Sequence, residues 1–168
     1  AKPRKPNVPG IDHALTLRDV EDADALKAAA QRSHSKTAVI IGGGFIGIET
    51  AENLIHAGFQ VHLVQKNRQL LSQVEPEIVE VLQKHLESNG IQFHLNSDVV
   101  EITESSVTVN DELIASDLVI SAAGVEPDNL LAREAGLKFG STGGLWVDEQ
   151  QRTSDEYIFA AGDAVEKH

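Results

Sequence analysis

The run Ala38-Val39-Ile40-Ile41-Gly42-Gly43-Gly44-Phe45-Ile46-Gly47-Ile48-Glu49 constrains this chain more than any other stretch. Four apolar residues read as a buried parallel strand, the glycines as a tight turn, and Phe45 to Gly58 as a helix. Between a strand and a helix, the spacing G-x-G-x-x-G has a mechanical meaning. Gly42 permits the turn, Gly44 lets the backbone approach a ligand closely, and Gly47 lets helix and strand pack together. The amides of the first helical turn (Gly43 to Gly47, with Phe45 and Ile46) and the helix dipole then face an anion, which makes the turn a pyrophosphate site.

The rest of the chain supplies the framework for such a site. Gln60 to Gln65 alternates as a second strand. Glu75 to Asn89 places Ile78, Val79, Leu82 and Leu86 at helical spacing before Asn89-Gly90, and Ile91 to Leu95 is a third strand. This β-α-β-α-β order predicts an α/β fold with a Rossmann-like doubly wound parallel sheet. Short strands at 99–103, 106–109 and 113–114, turning at Asn110-Asp111, predict an antiparallel β-meander inserted before the core strand 118–121. A helix is expected from Asp19 to about residue 31, another from Asp128 to Ala135, and a strand over Ile158–Ala161. Pro3, Pro6, Pro9 and Gly10 make the first ten residues an extended connector.

At 168 residues with 41% hydrophobic content, the chain can bury one complete core. No apolar run approaches membrane-spanning length, and no signal peptide precedes the fold, so a cytoplasmic protein is expected. A net charge of −12 disfavours nucleic acid or an anionic membrane as a partner. With no cysteine, a disulfide scaffold, a thiolate metal site and a cysteine nucleophile within the chain are excluded. Histidines 13, 34, 56, 62, 85 and 94 show no metal-ligand spacing and read as structural or surface groups; no metal site and no catalytic side chain are assigned. His168 reads as a terminal remnant.

Gln65 holds the end of the second strand, 18 residues after Gly47. In NAD-binding halves an acid there accepts bonds from the adenosine ribose. Glutamine can bond a hydroxyl without repelling a 2′-phosphate, and Lys66 and Arg68 follow it. They read either as solvated loop cations or as partners of such a phosphate. NADPH is therefore admissible beside NADH.

Four stretches in family order resemble the NAD(P)H domain of the FAD-dependent pyridine nucleotide–disulfide oxidoreductases. They are Pro3–Gly10 with Leu17–Ala23, the Gly42–Glu49 turn, Ala123-Gly124-Val125-Glu126-Pro127-Asp128, and Thr153-Ser154-Asp155 through Ala160-Ala161-Gly162-Asp163-Ala164-Val165-Glu166. The wording is most similar to the coenzyme A-disulfide reductases and NADH oxidases, with ferredoxin, rubredoxin and nitrite reductases as alternatives. The resemblance implies that hydride passes from NAD(P)H to FAD and on to a disulfide or oxygen. It also implies roles for single positions. Phe45 would cover the flavin until the nicotinamide displaces it, Glu49 would lie near the nicotinamide, and Ala123 and Gly124 would line its pocket. Asp163, after Gly162, would bond the ribityl chain of FAD, with Arg4 beside the cofactor.

Only one glycine fingerprint is present, and there is no methionine. The chain therefore reads as a domain fragment of a longer flavoprotein, inactive alone. The expected boundaries are 1–36 for the connector and junction helix, 37–148 for the NAD(P)H domain and 149–168 for a returning FAD-domain segment. Its partners would be a dinucleotide and the parent's FAD and dimerisation domains. A stand-alone NAD(H)-sensing module is the other reading.

Overall fold

The computed structural model describes residues 1–167. In chain order its strands are β1 Lys2–Pro3, β2 Thr37–Ile41, β3 Gln60–Gln65, β4 Ile91–Leu95, β5 Val99–Ile102, β6 Ser106–Val109, β7 Glu112–Ala115, β8 Leu118–Ser121, β9 Val125–Glu126, β10 Leu145–Val147 and β11 Val165–Lys167. The α-helices are α1 Val20–Arg32, α2 Phe45–His56, α3 Pro76–Ser88 and α4 Leu130–Glu134. They fall into two compact units: Lys5–Gly124, and Ala1–Arg4 with the chain from Val125 onward.

In the larger unit β2, β3, β4 and β8 form a parallel sheet in the order β4-β3-β2-β8. Every residue of β2 is buried, as expected for a central strand covered on both faces. Side chains of β2 alternate between two cores. Ala38 and Ile40, with Val61, Leu63, Leu118 and Ile120, pack against Ile48, Ala51 and Leu54 of α2 and Val79 and Leu86 of α3. Val39 and Ile41, with Val64 and Val119, pack instead against Ile102, Val107, Val109 and Ile114 of the antiparallel meander β5-β6-β7. The α/β class, the Rossmann-type sheet and the antiparallel insertion are thus present. The insertion supplies the layer on the second face, where further helices would otherwise lie.

The expected boundary after residue 36 does not coincide with a division in the structure. Leu26, Ala29 and Ala30 of α1 pack on the helical-side core, and Leu15 bridges to Ile120 at the edge of the sheet. The apolar stripe of α1 has no other surface to cover, so the helix belongs to the larger unit. Asp19 caps its start by accepting a bond from the Asp22 amide at 3.0 Å.

Its far end is held by Asp117, in the turn between β7 and β8. That carboxylate accepts bonds from Ser33 Oγ and Ser35 Oγ, both at 2.6 Å, and from the amides of His34 and Ser35 at 2.8 and 3.3 Å. Burial pulls the Asp117 carboxyl upward, but these four donors outweigh it and hold its pKa well below the ordinary value.

In the smaller unit β1 pairs antiparallel with β9, and β10 pairs parallel with β11. Glu166 accepts bonds from the backbone amides and hydroxyls of Thr142 and Ser141, which bring its pKa down to about 2. The strand expected over Ile158–Ala161 is reduced to one bridge, Arg152 to Phe159. The segment closes a tight hairpin on Thr153 and Gln151 and pairs with no further strand among the described residues, and Phe159 stays 62% exposed.

Asp117→Ala should cost about 1 kcal/mol by thermal or denaturant unfolding, a low figure for hydrogen bonds to a charge because the site is open to solvent. The folded-state pKa is depressed, so the stabilisation is present above the unfolded-state value of about 3.8 and lost as pH falls below it. Asp117→Asn should flatten that part of the acid-unfolding profile.

Candidate functional site

The three glycines of the turn do different work. Gly42 has φ of +113°, and a β-carbon there would collide with the carbonyl of Ala122. A β-carbon on Gly47 would strike the carbonyl oxygen of Gly42, so α2 can lie against the end of β2 only with hydrogen at that position. Gly44 is different: a β-carbon there would meet nothing within 4 Å. It faces open space at the mouth of α2, where a ligand backbone can come close. Gly42 and Gly47 thus meet the turn and packing constraints that the spacing implied.

No side chain caps α2, whose N-cap is Gly44 in an extended conformation. Ile48 is the first residue of the helix to return a bond, from its amide to Gly44 O at 3.0 Å. The preceding amides are left for an anion, with the positive end of the helix dipole behind them. Phe45 is 64% exposed, so it is not a core residue of α2. Ile46 and Glu49 are also exposed on the same end of the helix. Ala123 and Gly124 follow β8, next to β2 in the sheet, which brings them to the same sheet edge as the glycine turn. Gly162 and Asp163 are exposed in the smaller unit.

Gln65 is positioned otherwise than its reading as a free ribose acceptor. Its Oε1 accepts the Gly43 amide at 3.0 Å, and its Nε2 donates to Gln69 O at 3.3 Å. Leu71 N donates to Gly43 O at 2.9 Å, and Leu70 lies against the Cα of Gly43. Both polar groups of Gly43 are therefore held, the amide by the last residue of β3 and the carbonyl by the segment that follows it. Sequence reasoning missed this clamp; the only signal was the apolar pair Leu70-Leu71 inside a mostly polar loop.

Beyond β3 lies a polar pocket of about 650 Å³ lined in part by Lys66, Arg68, Ser72, Gln73, Glu75 and Asn96. Lys66 pairs with Asp98 at 3.1 Å, both well exposed. Asn96 enters because β3 and β4 run in parallel with Gln65 opposite Leu95, so the residues after each strand emerge side by side. A concavity of about 810 Å³ lies elsewhere, between α1 and α2. It runs along the side of α2, from Ile46 and Glu49 to Asn53 and Leu54.

His62 and His94 stack, with Nδ1 and Nε2 2.9 Å apart, and burial followed by the neighbouring ring lowers the pKa of His62. Among the described residues no cluster of three or more His, Cys, Asp or Glu groups converges as a metal site, and no helix is long and apolar enough to cross a membrane. His168 lies outside the described residues.

A parallel sheet ending in an uncapped, glycine-opened helix defines a dinucleotide-binding α/β protein. Residues 1–168 match the family described as pyridine nucleotide-disulphide oxidoreductase, and the chain belongs to that family. It is 37% identical to the nitric oxide reductase FlRd-NAD(+) reductase of Vibrio vulnificus over 163 residues, covering 94% of this chain and 42% of the relative. The structure of reduced CoADR-RHD from Bacillus anthracis superposes with a TM-score of 0.90 at 35% identity, over 98% of this chain and 30% of that one. The water-forming NADH oxidase of Lactobacillus brevis, bound to NADH, gives 0.88 at 26% identity, over 97% and 37%. The chain thus spans well under half the length of these relatives.

Gly44→Ala should shift stability by less than about 1 kcal/mol, since the site is open and the backbone ordinary. It should nevertheless weaken dinucleotide binding. Gly47→Ala should cost about 1–3 kcal/mol through overpacking and lower the melting temperature with no ligand present. Calorimetry with and without dinucleotide separates the two effects.

Proposed function

We propose that this chain is the NAD(P)H-binding domain of an FAD-dependent oxidoreductase. The uncapped first turn of α2, opening past Gly44 into free space, carries the reading. The pyrophosphate would sit on the amides from Gly44 to Gly47, held by hydrogen bonds and the helix dipole. The adenosine end would lie past β3, near Gln65, Lys66 and Arg68. The nicotinamide would extend toward Ala123 and Gly124.

Phe45 and Glu49 lie one turn apart on α2 and both face solvent. The exposed ring of Phe45 would cover the flavin face where the nicotinamide is to stack. Glu49 would orient the nicotinamide end by hydrogen bonding. FAD, bound mainly by residues outside this chain, would supply the two-electron acceptor; Arg4, Gly162 and Asp163 are this chain's contribution to its binding. The onward acceptor would be a disulfide or oxygen. The likeness to the Vibrio reductase favours a second reading, in which electrons pass to a redox protein instead. We propose a cytoplasmic parent protein, whose FAD and dimerisation domains would be the partners of this one.

Titration of the purified chain with NADH and NADPH, followed by nucleotide fluorescence, should give saturable binding of at least one. The chain should purify without stoichiometric flavin absorbance and should not oxidise either nucleotide. Absence of binding to both would remove the dinucleotide reading.

A further inference from the structure

The concavity between α1 and α2 lies wholly in the larger unit. Helix α1 leads into the start of β2, and α2 returns from its end, so both run from the glycine-turn edge of the sheet to the opposite edge. The space between them is a trough. Leu26 and Ala30 of α1, Leu54 of α2 and Phe59 give it an apolar floor. Leu54 and Phe59 are buried, but no residue of α1 is, and Leu26 and Ala30 stay half-covered. Apolar surface on the α1 side is therefore left for an occupant.

The charge on the trough runs against that of the chain. Acids outnumber Lys and Arg by 26 to 14 overall, yet Arg18, Lys27 and Lys36 line the trough against one acid, Glu49. The charges are also unevenly spread. Arg18 and Glu49 offset each other at the end near the glycine turn, whereas Lys27 and Lys36 stand without an acid toward the other end. Lys27 forms no ion pair among the described residues. It lies one helical turn from Gln31, so the two side chains rise together on the same wall. Lys36 Nζ donates to Ala30 O at 2.9 Å and sits 4.7 Å from the centre of the Phe59 ring. That ammonium is held at the mouth with protons still to donate.

We infer that this trough binds a free aliphatic carboxylate of the fatty-acid type, with its head group between Lys27 and Lys36 and its chain lying over Leu26 and Leu54 toward Ile46. The apolar floor takes the chain by the hydrophobic effect, and the two ammonium groups take the carboxylate by charge-assisted bonds, with Gln31 as a further donor. The thirteen residues of α1 span about 20 Å, room for an extended chain of about twelve carbons. Two helical walls over a closed floor suit a single chain, and the net charge of −12 opposes a bilayer of anionic lipid. Binding there needs no dinucleotide.

Calorimetric titration of the 168-residue chain with dodecanoate, with NMR mapping of the amides, tests this in the absence of nucleotide. Dodecanoate should bind saturably at one site, with shifts concentrated in residues 17–36 and 46–59. Dodecyltrimethylammonium, with the same chain and the opposite charge, should bind about fivefold or more weakly. Lys27→Glu, at an exposed position, should weaken dodecanoate by a similar factor, whereas Lys84→Glu on α3 makes the same change of net charge and should leave it unaltered. Ala23→Trp, also exposed, should fill the trough and abolish binding without lowering the melting temperature. Equal binding of the two amphiphiles, or equal loss in Lys27→Glu and Lys84→Glu, would overturn the inference, as would shifts scattered over other surfaces. Binding of phosphatidylglycerol vesicles that Lys27→Glu removes would replace the free carboxylate with a membrane. No saturation by about 1 mM dodecanoate would overturn the inference and leave a protein segment as the occupant.

Discussion

The contact between the Cα of Gly47 and the carbonyl of Gly42 is the constraint on which the rest of the larger unit depends. With a methyl group there, α2 would have to move away from β2. The helix supplies Ile48, Ala51 and Leu54 to the core and presents its first amides to the site, so one displacement would loosen both. Packing and binding are thus joined at a position with no side chain. The same closeness sets the direction of α2, and with it the side on which Phe45 and Glu49 emerge.

Much of this could be read from residues alone, for identifiable reasons. The strand–turn–helix was legible because its glycine spacing has few alternative uses. The parallel sheet was legible because β2, β3, β4 and β8 are bounded by clear turn and helix signals. Helix α1 was placed within a residue or so at each end, because Asp19 is a good cap and Leu26, Ala29 and Ala30 fall on one stripe. Its attachment was not legible. That depends on Asp117, more than 80 residues away, accepting bonds from the Ser33–Ser35 segment. No local pattern announces such a partner.

The candidate site divides in the same way. Open space at Gly44 and exposure at Phe45 follow from local geometry. The inward turn of Gln65 does not, since an amide at a strand end can face either way and only the tertiary surroundings decide. The residues from Ile158 to Ala161 show the converse. Their apolar run predicts a strand, but a strand needs a neighbour, and in its own unit this segment has only the narrow hairpin with Arg152.

The clamp on Gly43 has a consequence for how such a domain can change over time. Gln65, at the end of β3, and Leu70 and Leu71, in the loop after it, lie where the proposed adenosine end would be, yet they also fix the peptide of the glycine turn. A change of cofactor made by altering that loop cannot leave the turn untouched. Selectivity at one end of the dinucleotide and grip at its middle are therefore coupled traits. Substitutions that exchange one cofactor for another should need a compensating change near Gly43 before full affinity returns.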